Sequence, residues 1–194
     1  MKSKYCLKKL SIIVDDLKID RILKVSDEFL DLLRDAGYFE IGACIQCGNC
    51  TASCPSGRRT ALRTREIMRK AILGQEEVLR DKELWLCTTC YTCYERCPRN
   101  IPITDIIVFL RNIAVERGNI LAPHWNVCNV LYNTGHIVPI DNEKHNVLRE
   151  SYGVSRVPPT VHAFPEALKE VQNLIESTGF DKKVKIGKYE QKIE

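Results

Sequence analysis

The sequence of 194 residues lacks several features that mark common classes of protein. It contains no Gly-x-Gly, and so lacks the glycine-rich turn with which dinucleotide-binding folds hold a pyrophosphate. Its longest aliphatic and aromatic runs, such as residues 106–110, fall far short of the roughly 20 residues that span a membrane. It has no basic run with interleaved aromatic residues, and its net charge is only +4. We therefore expect no dinucleotide site, no membrane span and no nucleic-acid partner.

The N-terminus begins with basic residues and a short apolar stretch, as a secretory signal does. The apolar stretch is shorter than the roughly 7–15 residues of a signal's hydrophobic region. It ends at Asp15 and Asp16, and no small-residue cleavage site follows. We expect a cytoplasmic protein, and in that compartment grouped cysteines bind metal more often than they form disulfides.

Cysteine, by contrast, is abundant, with ten residues in the chain. Eight of them form two copies of the pattern Cys-x2-Cys-x2-Cys-x3-Cys-Pro, placed 43 residues apart. The first motif contains Cys44, Cys47, Cys50 and Cys54, and the second contains Cys87, Cys90, Cys93 and Cys97. Soft thiolate ligands select iron–sulfur clusters, zinc or copper(I), so the spacing has to discriminate between these metals.

This spacing is typical of proteins that carry two 4Fe–4S clusters. The first three cysteines of a motif bind one cubane, and the fourth, which precedes proline, ligates the other cluster. The pattern predicts that iron of the first cluster is bound by Cys44, Cys47, Cys50 and Cys97. It predicts that iron of the second cluster is bound by Cys87, Cys90, Cys93 and Cys54. A zinc site or a disulfide framework is the weaker alternative, because zinc sites usually combine two Cys-x2-Cys pairs.

Some residues outside the ligand set also bear on the chemistry. Arg58, Arg59, Arg96 and Arg99 follow or adjoin the motifs, and positive charge there would favour the reduced, more anionic state of a cluster. Cys6 and Cys128 lie outside both motifs, and we interpret them as buried free thiols.

Apolar periodicity predicts an all-α fold, specifically an α-helical ferredoxin with two clusters, because period-2 alternation is scarce. We expect three segments. Residues 1–40 form a helical extension whose apolar stripe runs from Ile19 to Leu33 and ends near Gly37. Residues 41–118 form the ferredoxin domain, with one helix capped by Thr64 and another that opens at Thr104. Residues 119–194 form a helical or irregular segment for partner contacts, with a helix at 165–177.

The two motifs and their surroundings resemble a known family. The residues that carry this resemblance are Cys44–Thr60, Leu84–Arg99 and Pro158–Leu168, and the likeness covers about residues 40–180. They are similar to the C subunit of heterodisulfide reductase from methanogenic archaea, the iron–sulfur electron-transfer subunit of that complex. The likeness is specific because it extends well beyond the cysteines.

The resemblance implies a non-catalytic subunit of an oxidoreductase complex that serves methanogenesis. The flavoprotein of such a complex, its A subunit, performs electron bifurcation and reduces ferredoxin alongside. The B subunit splits the heterodisulfide of coenzyme M and coenzyme B on non-cubane clusters, and the C subunit passes electrons to it from the flavoprotein. A nickel–iron hydrogenase or a formate dehydrogenase is the implied further partner.

Two other interpretations share the motifs. The iron–sulfur subunit of succinate dehydrogenase or fumarate reductase needs a preceding 2Fe–2S domain, and residues 1–43 contain only Cys6. A freely diffusing ferredoxin-type carrier would be a binding protein rather than part of an enzyme. Elution of the native protein alone, rather than within a large complex, would identify the carrier.

Overall fold

The computed structural model describes residues 26–138 and 142–187, and these residues form helices and loops without any β-strand. The α-helices are α1 (Asp27–Asp35), α2 (Asn49–Ala52), α3 (Thr64–Ile72), α4 (Thr92–Glu95), α5 (Ile103–Glu116), α6 (Ala122–Thr134), α7 (Glu143–Ser151), α8 (Pro165–Ser177) and α9 (Phe180–Val184). Short 3-10 helices span Phe39–Ala43, Glu76–Arg80, Lys82–Leu86 and Val161–Ala163. The predicted all-α class is confirmed.

The chain divides into two compact units, and the division falls within α5, between Arg111 and Asn112. The segment boundaries that we expect from the sequence, after residues 40 and 118, stay predictions. The stretch from Ile19 to residue 25 in the predicted N-terminal helix, like Cys6, lies outside the described residues. Among the helices described, none is long and apolar enough to cross a bilayer.

The duplication seen in the sequence is repeated in the backbone. The 3-10 helix Phe39–Ala43, the first motif and α2 recur at the same 43-residue spacing as Lys82–Leu86, the second motif and α4. Gln46 and Thr89 both adopt positive φ angles, and so do Gly48 and Tyr91 at the start of the two short helices. Each motif loop therefore has a left-handed backbone at the same two positions of the repeat.

The first unit buries many apolar side chains from the helices that flank the motifs. Helix α1 begins after the cap residue Ser26, whose Oγ accepts a hydrogen bond from the Phe29 amide. The Ser26 amide donates to the carbonyl of Gly74 at 2.8 Å, which joins the start of α1 to the end of α3. The fully buried side chains of this unit include Phe29, Leu33, Leu62, Met68, Leu79, Leu84, Ile101, Ile106, Ile107 and Leu110. The core thus holds the helices that flank both motifs.

One predicted helix start is wrong. Thr64 is not the cap of α3 but its first helical residue, and it is buried. The cap position belongs to Arg63, whose side chain makes no capping bond. The Arg65 amide is instead satisfied by the Thr51 hydroxyl of the first motif, at 2.7 Å. A tertiary contact therefore replaces the local cap and fixes α3 against the motif.

The second unit contains α6 to α9, and its helices are only partly buried. Helix α8 matches the helix predicted at 165–177, with Pro165 in its first turn, but its Leu174 is 66% exposed. Gln172 of α8 donates to the Tyr132 carbonyl of α6 at 3.0 Å, and the Tyr132 hydroxyl donates to Glu176 at 2.7 Å. Polar bonds thus supplement a limited apolar contact between α6 and α8.

Candidate iron-sulfur site

Four of the predicted ligands line one cavity. Its wall contains Cys44, Cys47 and Cys50 from the first motif and Cys97 from the second, together with apolar side chains such as Met68 and Ile101. The cavity is partly open to solvent. The structure therefore gathers the cysteine set that the sequence assigns to the first cluster.

The other four predicted ligands belong to the second motif and to the turn that ends the first. The Ser56 hydroxyl, two residues after Cys54, donates to the carbonyl of Leu86 at 2.7 Å, immediately before Cys87. A cleft beside this bond is lined by Pro55, Ser56, Arg58, Arg59, Thr60 and Thr88. The turn after Cys54 is thus tied to the start of the second motif.

The two motifs are also packed on each other. Helices α2 and α4, which carry Cys50 and Cys93, are in contact, and both thiols are buried. Burial raises the pKa of the Cys50 thiol to about 11, while hydrogen bonds with Thr51 lower it and the nearby thiolate charges of Cys93 and Cys44 raise it. Cys50 and Cys93, one from each predicted site, are therefore close enough for the charge of one to affect the pKa of the other.

Several sulfur atoms receive hydrogen bonds from surrounding groups. The Gly57 amide donates to Cys54 Sγ at 3.3 Å, and the Ile101 amide donates to Cys97 Sγ at 3.5 Å. The Gln46 side-chain amide donates to Cys44 Sγ at 3.3 Å. Donors of this kind stabilise thiolate charge and tune cluster potentials. The backbone donors come from turns after the Cys-Pro pairs, not from the helices that follow.

The second motif has hydroxyl partners. Thr104 is fully buried and its Oγ1 lies 3.3 Å from Cys93 Sγ. Burial raises the pKa of Cys93, and the Thr104 hydroxyl opposes that effect. A hydrogen bond with Thr92 lowers the pKa of the exposed Cys90. Each buried thiol thus has a polar partner that offsets part of the cost of charging it.

These features fit a cubane cluster. In residues 26–138 and 142–187, no three His, Cys, Asp or Glu side chains converge on the position of a single metal ion. The thiols of the first site are spread around a cavity wall, and a cubane takes one cysteine at each iron rather than four at one ion. Burial raises the pKa of Cys50 and Cys93, and a bound iron centre would stabilise both as thiolates.

The four arginines expected to lie near the clusters differ in position. Arg99 lines the cavity with Cys97, and Arg58 and Arg59 line the cleft beside Cys54. Arg96 is exposed. Sequence reasoning missed Arg111. This residue lies 24 positions after Cys87 in the chain, and its guanidinium donates a hydrogen bond of 2.6 Å to the Cys87 carbonyl. Nothing in the motif spacing identifies such a residue.

Gly57 provides a test of the second site. A Cβ at this position would lie 2.8 Å from the Leu62 carbonyl oxygen and 3.4 Å from the Cys54 Cβ. Because a backbone atom must move, Gly57→Ala should destabilise the holoprotein by about 1–3 kcal/mol. Thermal unfolding measures this loss, and electron paramagnetic resonance should show the second cluster perturbed. Gly42→Ala is the control, since a Cβ at Gly42 meets nothing within 4 Å. Equal stability of the two variants would contradict the close packing of Gly57 against Leu62 and Cys54.

Comparison with known proteins agrees with this geometry. A family model described as a 4Fe–4S dicluster domain matches residues 40–101, which contain both motifs. The chain therefore contains a domain of the kind that binds 4Fe–4S clusters.

Curated relatives extend the similarity beyond the motifs. The iron–sulfur C subunit of CoB–CoM heterodisulfide reductase from Methanopyrus kandleri is 47% identical over 169 residues, covering 87% of this chain and 88% of the relative. The C subunit of H2:CoB-CoM heterodisulfide,ferredoxin reductase from Methanothermobacter marburgensis is 48% identical over 158 residues, covering 81% and 85%. The C subunit of the ferredoxin/F420H2-dependent CoB-CoM heterodisulfide reductase from Methanosarcina acetivorans is 48% identical over 160 residues, covering 82% and 98%. The chain belongs to the family formed by the C subunits of heterodisulfide reductase, the iron–sulfur subunits of an oxidoreductase.

Proposed function

We propose that this chain carries two 4Fe–4S clusters and relays electrons from a flavoprotein subunit to a heterodisulfide-cleaving subunit. The cleaving subunit then reduces the CoM-S-S-CoB heterodisulfide to coenzyme M and coenzyme B. The observation that carries the proposal is the cavity whose wall combines Cys44, Cys47 and Cys50 with Cys97 of the other motif. It supports cross-ligation of two clusters by the eight cysteines.

The arrangement of the motifs supports a relay rather than two unrelated sites. Cys50 and Cys93 lie on helices in contact, so clusters held by the two motifs would be neighbours. Cys47 and Cys90, at equivalent places in the two motifs, are exposed. A donor and an acceptor would therefore have access to clusters held at these two positions.

The residues of the chain hold and shield the sites; they do not act on substrate. The clusters, when bound, supply one-electron carriers. The amides of Gly57 and Ile101 and the hydroxyl of Thr104 stabilise the sulfur charge. Apolar side chains such as Met68 and Ile101 line the first cavity. We propose that the chain is a non-catalytic subunit, with chemistry confined to its partners.

We further propose a cytoplasmic complex in which a bifurcating flavin couples heterodisulfide reduction to ferredoxin reduction. A nickel–iron hydrogenase or a formate dehydrogenase would supply the electrons. The names of the relatives give different donors, namely hydrogen in one and ferredoxin or F420H2 in another. Exposed apolar side chains of the C-terminal segment support a role in partner contacts; they include Ile137, Tyr152, Phe164 and Leu174.

The isolated holoprotein provides the test. With a chemical reductant, its clusters should become reduced without any release of coenzyme thiols from the heterodisulfide, because the chain has no Cys-Cys pair of the kind that the catalytic site of the cleaving subunit uses. Addition of the cleaving subunit should then start thiol release and reoxidise the clusters. The cleaving subunit mixed with cluster-free chain is the control. Turnover by the isolated chain, or no transfer to the cleaving subunit, would contradict the proposal.

A further inference from the structure

Arg111 places a guanidinium against the segment that leads into the second motif. Its Nε donates to the Leu84 carbonyl at 3.0 Å, and its Nη2 donates to the Cys87 carbonyl at 2.6 Å. The guanidinium also lies over Trp85, 5.8 Å from the ring centroid. Arg111 projects from α5 in the first compact unit, so its position is set by a packed helix and not by a loop.

The guanidinium is half-buried, and it contacts two backbone carbonyl groups and an aromatic ring. Among residues 26–138 and 142–187, no carboxylate forms an ion pair with it. Carbonyl bonds and an aromatic face offset part of the cost of burying this cation. The bond to the Cys87 carbonyl places this cation at the second motif.

We infer that Arg111 is a positioning and charge-compensating residue for the cluster held by Cys87, Cys90, Cys93 and Cys54. The inference rests on the proposed function. Its bonds to the Leu84 and Cys87 carbonyls fix the backbone that leads into the second motif. Its positive charge stabilises the cluster more in the reduced state, which carries one more negative charge. Arg111 therefore raises the reduction potential of the second cluster. Reduction itself adds one electron from the donor, and no bond forms or breaks at Arg111.

The substitutions Arg111→Gln and Arg111→Lys separate charge from packing. Glutamine removes the charge and keeps a hydrogen-bond donor, whereas lysine keeps the charge and loses the two-point geometry. Arg69→Gln is the matched control, because Arg69 is an exposed arginine on α3. Each full-length chain is reconstituted anaerobically with iron and sulfide. Its two clusters are then titrated with dithionite under electron paramagnetic resonance, and the signal missing in Cys93→Ala marks the second cluster.

In Arg111→Gln the reduction potential of the second cluster should be more negative than in the parental protein. This shift should be larger than that of the first cluster in the same variant. It should also be larger than the shift of either cluster in Arg69→Gln. In Arg111→Lys most of the parental potential should be retained. Loss of the second cluster in the glutamine variant, with a parental potential in the lysine variant, would also support the inference. Unchanged potentials in Arg111→Gln, equal shifts in both variants, or loss of the second cluster in both would overturn it. Absence of either cluster from the parental protein would instead refute the proposed function.

Discussion

In the reconstituted holoprotein, Cys54→Ser should abolish or convert the second cluster and leave the first nearly unchanged, while Cys97→Ser should do the reverse. The physical reason is the crossed geometry. Cys97 lines the cavity of the first motif, and the turn after Cys54 is bonded to the segment before Cys87. Serine offers a harder oxygen ligand than the soft sulfur that iron–sulfur clusters require. Electron paramagnetic resonance of the two variants shows which cluster signal each substitution removes.

Cys128→Ser is the control for this pair. Cys128 is a free thiol as the sequence predicts, but it is half-buried rather than buried. It belongs to the second unit and lies outside both motifs, so its loss should leave both spectra intact. If Cys54→Ser damages the cluster of its own motif, and Cys97→Ser does likewise, the ligands are not crossed and the assignment must be reversed.

The second large effect is expected in the assembled complex. Cys90→Ala should remove or convert the second cluster while the mutant chain stays docked, because Cys90 is exposed and contributes nothing to the apolar core. The flavin of the flavoprotein partner should still be reduced by its donor, since that step precedes the relay. Heterodisulfide reduction should fall to the level of a complex without this chain. Ferredoxin reduction should fall with it, because a bifurcating flavin passes one electron to each of two acceptors and cannot reduce ferredoxin when the other acceptor is blocked.

The competing explanation is that the clusters only hold the fold together. It predicts that the complex fails to assemble and that any complex which survives transfers electrons at a normal rate. Flavin reduction and thiol release must therefore be measured on the same intact complex, with Cys128→Ala as the matched control. Normal thiol release from a complex shown to lack the second cluster would rule out the relay.

Much of the fold follows from the spacing of cysteines and apolar residues. The duplicated motifs, the lack of alternating patterns and the proline at the start of α8 predict helices that the structure contains. The left-handed backbone at Tyr91 was not predictable, because a bulky residue rarely adopts φ near 60°. The Tyr91 hydroxyl donates to Asp105 at 2.8 Å, and this contact 14 residues away accompanies the conformation.

The remaining differences arise from contacts between distant residues. Thr51 satisfies the first turn of α3 in place of Thr64, and Arg111 reaches Cys87 from the middle of α5. Local propensity describes a residue by its neighbours in sequence, so it cannot report a partner 14 or 24 residues away. Leu174 follows a helical apolar stripe yet is exposed, because the second unit buries little of α8.

The iron and acid-labile sulfide content of the anaerobically purified chain tests the central claim most directly. Two 4Fe–4S clusters require about eight irons and about eight sulfides per chain. We predict this content, together with loss of about half of both elements from a variant in which one cluster cannot form. Zinc in place of iron, or only about four irons per parental chain, would contradict the presence of two 4Fe–4S clusters.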